Sequence, residues 1–411
     1  MFEVVTVGEI LSTDRGISVG VMYPGSHDEQ GIPLIRAADI SEGRISETPT
    51  LKISKNVHYE YRRTALEGGE CLLTLVGTPG IPAIVPHSMA GWNVARAVAV
   101  LRLTEQKNAR FLRYAFSSPD VQNTIRNWCN TTVQRTLNLG DIKKIPISWP
   151  PIATRETITE TLGALDDKID LNRRTNETLE AMARALFRGW FVDFGPTRAK
   201  MAGQTPYLAP EIWELFPDRL DDEGKPEGWK TTSISSLCSI TSGKRPPNKV
   251  SSPSIENPVP VYGGNGISWF TKDILFNERF LITGRVGTLG TVFRVSEECW
   301  VSDNALCLFP KINSLFEYAY FVLSDVDFQS LNSGSTQPLL TQTSLGAQQC
   351  ILPQRALVNI FHEQVFLWFD RQSQIEKQNQ SLAQLRDLLL PKLMSGEIRI
   401  RDAEKMVADA L

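Results

Sequence analysis

Apolar residues recur at alternating spacings of four and three positions in two long segments of the chain. The first seam consists of Ile158, Leu162, Leu165, Ile169, Asn172, Asn176, Leu179, Ala183, Leu186 and Trp190. The second seam consists of Phe361, Val365, Trp368, Gln372, Ile375, Asn379, Leu382, Arg386, Leu389 and Leu393. This spacing is a heptad repeat, which predicts a long helix whose apolar seam packs along another helix.

The two seams predict a pair of helices of about 35–40 residues, each spanning about 50–60 Å. Ordinary core helices also show heptad patterns, but the length, the charged outer faces and the recurrence favour a coiled coil between the two helices. We expect the helix-pair interface to include Leu162, Leu165, Ile169, Asn176, Leu179, Val365, Trp368, Ile375, Asn379, Leu382 and Leu389. Asn176 and Asn379 occupy equivalent seam positions, where a polar side chain lowers stability but fixes helix register.

The segments before the two seams also resemble each other. A V-G-T-x-G motif occurs at 76–80 and again at 286–290, and a tryptophan followed by an apolar run occurs at Trp92 and Trp300. A Thr/Ser-x-Gln segment follows at 132–137 and 335–340, and a proline-marked strand pattern then precedes each seam. Because these similarities recur in the same order, the sequence predicts an internal duplication.

The remaining pattern predicts two globules of short strands and turns. Segments such as 32–36 and 260–266 read as strands followed by turns, and 193–228 is punctuated by Pro and Gly in the manner of a linker. The predicted boundaries are 1–150 for the first globule, 151–192 for the first long helix, 193–228 for the linker, 229–353 for the second globule, 354–395 for the second long helix and 396–411 for a C-terminal tail. The fold class is α+β.

The composition is that of a globular protein of more than one domain, with 411 residues of which 42% are hydrophobic. No stretch approaches the roughly 18–20 uncharged apolar residues of a membrane helix. The first residues lack the basic and then apolar pattern of a secretory signal, so we expect a cytoplasmic protein without a membrane association.

No metal-binding or catalytic residues are predicted. The six cysteines are scattered without a C-x-x-C pair, and none of the four histidines has a neighbouring ligand motif. His362 lies on the second predicted helix, where we expect it to be solvated.

Two apparent catalytic motifs fail on inspection. Around Gly243-Lys244 a phosphate-binding loop would need a glycine where Cys238 stands and a hydroxyl where Arg245 stands. Asp218 and Glu223 resemble part of a metal-dependent nuclease site, but they crowd into one Pro/Gly-rich turn instead of projecting from adjacent strands. We therefore expect no cofactor in this chain.

The net charge of −3 is unlike that of a free-standing DNA-binding protein. Any positive surface must be local, and basic and amide residues do gather near glycines in both globules. The candidate DNA-binding residues are Arg36, Lys52, Lys55, Arg62, Arg63, Gln134, Arg135, Lys244, Arg245, Asn248, Lys249, Asn265, Arg279 and Arg285. The same residue types also form the surface of most proteins.

Three segments carry a resemblance to a known family. Residues 163–194 resemble the central conserved region of type I restriction-modification specificity subunits, and residues 389–398 resemble their distal conserved region. The pair formed by 216–218 and 227–229 resembles the entry into the second recognition domain of the same family. The resemblance covers nearly the whole chain, and its specific motifs lie in the helices.

The resemblance implies two mixed α/β target recognition domains, each reading one half of a bipartite, asymmetric site in double-stranded DNA. The two long helices would pair as an antiparallel coiled coil with pseudo-twofold repeat symmetry and fix the gap between the half-sites. It also implies two modification subunits, which use S-adenosylmethionine to methylate adenine, and restriction/translocase subunits, which use ATP and Mg²⁺. The chain itself would be non-catalytic.

Two alternatives stay open. A coiled-coil interaction scaffold without sequence-specific DNA binding explains the helices but not the duplicated globules. A self-contained nuclease or methyltransferase would need a catalytic motif that we do not find, and activity of the purified chain alone would favour it.

Overall fold

The computed structural model describes residues 2–129, 136–334 and 337–411, and the first half of the chain forms short strands and helices that end in one long helix. Its strands are β1 (Val4–Thr6), β2 (Ile17–Val19), β3 (Ile32–Ile35), β4 (Ile40–Ser41), β5 (Arg44–Ile45), β6 (Lys52–Ile53), β7 (Cys71–Thr74), β8 (Pro82–Ile84), β9 (Asn93–Val94), β10 (Val98–Leu101) and β11 (Pro146–Ser148). Its helices are α1 (Val7–Ile10), α2 (Lys55–Glu60), α3 (Ala109–Ser117), α4 (Pro119–Trp128), α5 (Leu139–Lys144) and α6 (Ile152–Phe187). A π-helical turn, Arg188–Val192, continues α6.

The second half repeats this plan. Its helices are α7 (Gly195–Met201), α8 (Pro210–Trp213), α9 (Ile234–Leu237), α10 (Phe316–Ser324), α11 (Gln342–Gly346), α12 (Arg355–Ser395) and α13 (Ile400–Ala408). Its strands are β12 (Lys230–Ser233), β13 (Cys238–Ser242), β14 (Val259–Gly263), β15 (Gly266–Thr271), β16 (Phe280–Gly284), β17 (Val292–Val295), β18 (Trp300–Val301), β19 (Ala305–Pro310) and β20 (Gln349–Leu352).

The chain divides into two compact units, and both long helices contribute to each. The first unit contains Met1–Asn172 and Lys377–Leu411, and the second contains Arg173–Glu376. The amino-terminal part of α6 and the carboxyl-terminal part of α12 therefore belong to the first unit, and their other halves belong to the second. The domain boundaries predicted from the sequence lie at the ends of the helices instead, and they stay a prediction.

The strand orders of the two units match. In the first unit, an antiparallel sheet has the order β2-β10-β7-β8, a second sheet has the order β6-β3-β9 with β3 and β9 parallel, and β1 pairs with β11. In the second unit, the equivalent sheets have the orders β13-β19-β16-β17 and β15-β14-β18, with β14 and β18 parallel, and β12 pairs with β20. The internal duplication seen in the sequence thus extends to the sheet topology of each unit.

The seam residues of the long helices lie in the cores of the units. In the first unit, Leu162, Leu165 and Leu389 are fully buried in one cluster with residues of α3 and the sheet. In the second unit, Ala183, Phe361 and Val365 are fully buried, again in one cluster. In each unit the long-helix segments therefore share one apolar cluster with the globule, and the globule has further clusters that contain no residue of the long helices.

The segments predicted as a linker and a tail contain packed structure. The segment expected to be a linker includes α7 and α8, and Phe194 and Phe216 within it and Trp229 directly after it are buried in the core of the second unit. The segment expected to be a tail includes α13, which buries Ala403 and Val407 in the first unit. Glycine and proline mark turns, but they do not show that the residues between them stay outside a core.

Adjacent leucines on α12 offer a test of the core assignment. Leu389 is fully buried, whereas Leu388 has half of its surface exposed. We expect Leu389→Ala to reduce the free energy of unfolding by about 2–5 kcal/mol, because it removes packed methyl groups and leaves a cavity. Leu388→Ala is the matched control, with an expected change of about 0.5 kcal/mol or less. Equal destabilisation of the two variants in urea titrations would contradict this packing.

Candidate nucleic-acid interface

Several loops of the second unit leave its antiparallel sheet at the same end. Gly284 at the end of β16 pairs with Ala305 at the start of β19, and Ser242 at the end of β13 pairs with Leu306. The loops that follow β13 and β16 and the turn that precedes β19 therefore lie side by side. Side chains from these three connections can act on one ligand surface.

The turn between β14 and β15 reaches the same place. Tyr262 in β14 pairs with Val301 in β18, just before the 302–304 turn, and the hairpin turns at Gly264 and Asn265. A Cβ atom on Gly264 would lie only 2.9 Å from the Gly284 Cα, so this close packing requires glycine. The neighbouring Asn265 side chain is exposed at the tip of a firmly packed turn.

This end of the sheet collects three of the predicted DNA-binding residues. The Lys244 backbone N–H donates to the Val301 carbonyl at 2.8 Å, and the Arg285 backbone N–H donates to the Asn304 carbonyl at 2.8 Å. Lys244, Asn265 and Arg285 are thus brought together, and the exposed Asn304 joins them. Asn304 was not singled out in the sequence, although it follows Trp300 in one of the duplicated segments.

Three further candidates lie on the loop after β13. Arg245, Asn248 and Lys249 are exposed, and the Lys249 ammonium lies 3.8 Å from the centroid of the Trp269 ring. A cation over an aromatic face is attracted to it, so the ring restricts where this charge is presented. Their role in DNA binding stays a prediction.

Arg279 has a different environment from the other candidates. Its guanidinium donates to Glu317 at 2.8 Å and lies 4.1 Å from the centroid of the Phe316 ring. Glu317 is fully buried and also bonds to His362 at 2.5 Å, so the expectation that His362 is solvated was wrong. The charge of Arg279 compensates a buried carboxylate, and a DNA contact by Arg279 stays a prediction.

In the first unit, the equivalent end of the sheet carries other residues. Thr74 at the end of β7 pairs with Val98 at the start of β10, so the loops around 20–23, 75–81 and 95–97 lie together. Tyr23 and Arg96 are exposed there, and the Arg96 backbone N–H donates to the Val21 carbonyl at 2.9 Å. Arg96 is a candidate that the sequence analysis missed, because a single arginine between apolar residues carries no motif.

One candidate predicted in the first globule, Arg36, lies near Arg96, because Ile35 at the end of β3 pairs with Val94 just before the 95–97 loop and its carbonyl accepts from the Ala95 N–H at 2.8 Å. Arg36 bonds to Asp39 and Thr50, and the Lys52 ammonium donates to the Glu29 carbonyl at 3.0 Å. Lys55, Arg62 and Arg63 are exposed on α2 and the turn after it. Gln134 and Arg135 lie outside the described residues. The DNA contacts predicted for this whole set stay predictions.

Arg63 lies near the end of the sheet opposite the 75–81 loop. Its carbonyl accepts from the guanidinium of Arg102, which follows β10 at the end where Leu101 pairs with Cys71. Arg63 and Arg96 therefore lie near opposite ends of this sheet.

The V-G-T-x-G loops have a structural explanation in both units. Val286 forms a bridge with Leu339, and Val76 forms one with Thr136. Gly77 and Gly287 adopt φ values of +82° and +83°, which favour glycine. Since backbone atoms make these contacts, the motif recurs as a scaffold and the side chains beside it can differ between the units.

In the first unit, one carboxylate joins the globule to both long helices. Asp166 on α6 accepts from Arg113 at 2.5 Å, from the Tyr114 hydroxyl at 2.7 Å, and from Arg386 on α12 at 2.9 Å. Burial alone would raise the pKa of Asp166, but the charge and hydrogen bonds of these neighbours outweigh it and hold that pKa below its ordinary value. The Asp166 carboxyl group is therefore ionised, and both of its oxygens accept hydrogen bonds.

In the second unit, Glu180 on α6 has the comparable position. It accepts from the Tyr320 hydroxyl at 3.0 Å and forms an ion pair with Arg294 of β17 at 3.5 Å. The Arg294 guanidinium also donates to Gln372 on α12 at 2.9 Å and lies 3.3 Å from the centroid of the Phe369 ring. Arg294 thus contacts both helices from the globule.

The polar seam residues pair within each unit. In the first unit, the Asn172 amide donates to Asn379 and to Gln378, both at 2.9 Å. In the second unit, the Gln372 side-chain amide donates to the backbone carbonyl of Asn176 at 2.6 Å. The sequence alignment identified Asn176 and Asn379 as equivalent positions, but the partners of each are Gln372 and Asn172 respectively. Repeat equivalence does not identify contact partners.

In the part of the chain that the structure describes, no group of three or more His, Cys, Asp or Glu side chains is arranged to hold a metal ion. Lys225 bonds to both Asp221 and Glu223 within one turn, which accounts for the acidic segment that resembled a nuclease motif. Within the described ranges, no helix has the length and apolar character needed to cross a membrane.

The chain thus consists of two α+β units with matching strand orders, each with exposed polar side chains at one end of its antiparallel sheet. The sequence model described as "Type I restriction modification DNA specificity domain" matches residues 2–181 and 226–381. The chain therefore belongs to the family of type I restriction-modification DNA specificity proteins.

Named relatives agree with this assignment. The chain is 26% identical to the type I restriction enzyme HindI specificity subunit of Haemophilus influenzae, over 64% of this chain and 71% of the relative. It is 24% identical to the type I restriction enzyme MjaIX specificity subunit of Methanocaldococcus jannaschii, over 72% of this chain and 70% of the relative. The crystal structure of the type I restriction-modification S subunit from M. genitalium shares the fold, with a TM-score of 0.55, 16% identity and 96% of each chain covered.

The carboxylate at Asp166 gives the stability of the chain a testable pH dependence. A carboxyl group whose pKa is lowered by folding stabilises the protein above its unfolded pKa, and this contribution is lost as the pH falls through the folded pKa. We expect Asp166→Asn to reduce the free energy of unfolding by about 3–5 kcal/mol near neutral pH, because it leaves Arg113 buried without its counter-charge.

Urea unfolding across the acidic range measures this effect. The difference in the free energy of unfolding between wild type and Asp166→Asn should shrink as the pH falls below about 3.9, the ordinary pKa of an aspartate, because the wild-type carboxyl group then also becomes protonated. Asp167→Asn changes an exposed neighbour and is the control. A constant difference at every pH would show that charge is not the source of the stabilisation.

Proposed function

We propose that this chain recognises a bipartite, asymmetric DNA target on behalf of separate adenine methyltransferase and restriction/translocase subunits. Sequence-specific DNA recognition follows from its membership of the family. The observation that carries the finer proposal is the duplicated sheet end, where the second unit assembles Lys244, Asn265, Arg285 and Asn304 on closely packed loops. One such end in each unit supplies one recognition surface for each half of a split site.

The chemistry of these side chains suits base and phosphate contacts. The asparagine side chain can donate from its NH₂ group to adenine N7 while its amide oxygen accepts from the adenine N6–H. This bidentate pairing suits adenine. Arginine and lysine pair with guanine or hold phosphates, which positions the protein on the duplex. A tight hairpin that presents Asn265 loses little conformational freedom on binding, and this favours discrimination between bases.

We further infer that α6 and α12 form an antiparallel coiled coil that carries the two recognition domains with pseudo-twofold symmetry. Within the first unit, Asp166 contacts Arg386 whereas the later Asn172 contacts the earlier Asn379, so these helix segments run in opposite directions. A helix pair of this kind would fix the number of base pairs between the half-sites and offer two similar docking faces for two modification subunits.

The chain would be non-catalytic in this complex and would work in the cytoplasm. S-adenosylmethionine, ATP and Mg²⁺ would bind the partner subunits. A net charge of −3 is compatible with DNA recognition if those partners share the contacts to the DNA backbone. The chain then contributes sequence selection more than overall electrostatic affinity.

Mapping of methylated adenines tests the proposal directly. Co-expression of this chain with its modification subunit in a methylation-free host should produce one two-part motif with a fixed gap, detected by single-molecule sequencing. The same host carrying the modification subunit alone is the control. An assembled, active complex that leaves no two-part motif would contradict the proposal and favour an interaction scaffold.

Asn265 should be needed for reading one half-site. We expect Asn265→Ala to relax selectivity at one base pair, with a loss of about 1–3 kcal/mol of discrimination, because one bidentate base contact disappears. Competition binding by the reconstituted complex on single-base variants of the target measures this loss. Asn277→Ala changes an exposed asparagine before the opposite end of β16 and should leave selectivity unchanged. Selectivity retained in Asn265→Ala would remove this residue from the interface.

A further inference from the structure

We propose that Asp166 and Glu180 are positioning residues that determine how strictly the protein selects the gap between its two half-sites. The inference rests on the proposed function of α6 and α12 as the carrier of both recognition domains. Each carboxylate lies where one globule meets the helix pair, and each is engaged by groups from more than one element. Neither residue is one of the DNA-binding candidates.

The first anchor, which consists of Asp166 and the side chains that bond to it, joins three helices. Asp166 belongs to α6, Arg113 and Tyr114 belong to α3 of the globule, and Arg386 belongs to α12. The side chains of Asp166, Arg113 and Arg386 keep only 17%, 15% and 25% of their surface exposed, respectively. Water therefore competes weakly for these bonds, and the fixed geometry of two guanidinium groups restricts how the globule can tilt on the helices.

The second anchor uses different residues for the same purpose. Arg294 projects from β17 of the globule, pairs with Glu180 on α6 and bonds to Gln372 on α12. The Phe369 ring covers one side of its guanidinium, and burial lowers the pKa of Arg294 against the opposing effect of Tyr320 and Glu180. Arginine stays charged even so, and Tyr320 from α10 completes the joint through its bond to Glu180.

Such joints matter for DNA spacing because one base pair is a large displacement. Adding a base pair moves a half-site by about 3.4 Å along the duplex and rotates it by about 35° around the axis. A globule held by charged, directional bonds cannot follow this movement without breaking them. A globule held only by apolar packing can tilt at lower cost, since apolar contacts have little directional preference.

The test measures gap selectivity in the reconstituted complex with the modification subunit. The substrates are DNA duplexes that carry the wild-type half-sites with the native gap, with one base pair more, or with one base pair fewer. We expect wild type to methylate the native gap far faster than the others. Asp166→Asn and Glu180→Gln should reduce the ratio of native-gap to altered-gap rates at least about tenfold, while keeping the half-site sequences unchanged.

Milder and control variants keep the result interpretable. Tyr114→Phe and Tyr320→Phe remove one hydroxyl donor from each anchor while retaining the packed ring, and should reduce the ratio in the same direction. They decide the outcome if a carboxylate variant fails to assemble. Asp167→Asn and Glu177→Gln change exposed carboxylates of the same helix and should keep the wild-type ratio.

Two results would overturn the inference. One is an unchanged gap ratio in assembled anchor variants, even with a lower melting temperature, since the anchors would then serve stability alone. The other is an equal loss of gap selectivity in the control variants. By contrast, a wild-type complex that recognises no two-part site would refute the proposed function itself, so the two failures are distinguishable.

Discussion

The fold depends on the burial of the helix seams in the cores of the globules. Leu162, Leu165 and Leu389 are fully buried in the first unit, and Phe361 and Val365 are fully buried in the second. Each such side chain contributes about 1.5–3 kcal/mol by leaving water. Because the seam residues belong to the same clusters as the sheets, neither globule has a complete core without its helix segments. The long helices are part of the domains that they carry.

This dependence explains what the sequence could predict. A heptad pattern reports burial directly, so the seams identified residues that the structure buries, such as Ile375 and Leu382. The pattern could not identify polar partners, because Asn172 meets Asn379 through three-dimensional register and not through repeat equivalence. It also could not predict that the Pro- and Gly-rich segment before Trp229 would supply aromatic residues to a core.

Glycines constrain the backbone beside two of the predicted candidates, whose role in DNA binding stays a prediction. Asn265 and Arg285 stand beside glycines that the structure uses for close packing and turns, and both reach the same sheet end. In the first globule, basic residues near glycines were also selected, but closeness to a glycine along the chain does not reveal at which end of a sheet a side chain lies. Arg63, for example, lies near the end of the sheet opposite Arg96. Arg279 was selected for its charge, but that charge compensates the buried Glu317.

Comparison of the two units distinguishes backbone contacts that both units retain from side chains that differ between them. Backbone pairing at Val76 and Val286 supports the same loop in each unit without using side chains, so the neighbouring positions can present different groups to different bases. The joints to the helices use different residues, because Asp166 pairs with Arg113 and Arg386, whereas Glu180 pairs with one arginine of the globule, Arg294, whose guanidinium lies against an aromatic ring. Different residues can satisfy the same requirement there, since what has to be preserved is a directional, water-poor connection. The proposed reading of two unlike half-sites needs variable loops on a constant support, which backbone pairing, buried seam residues and charged joints supply within each unit.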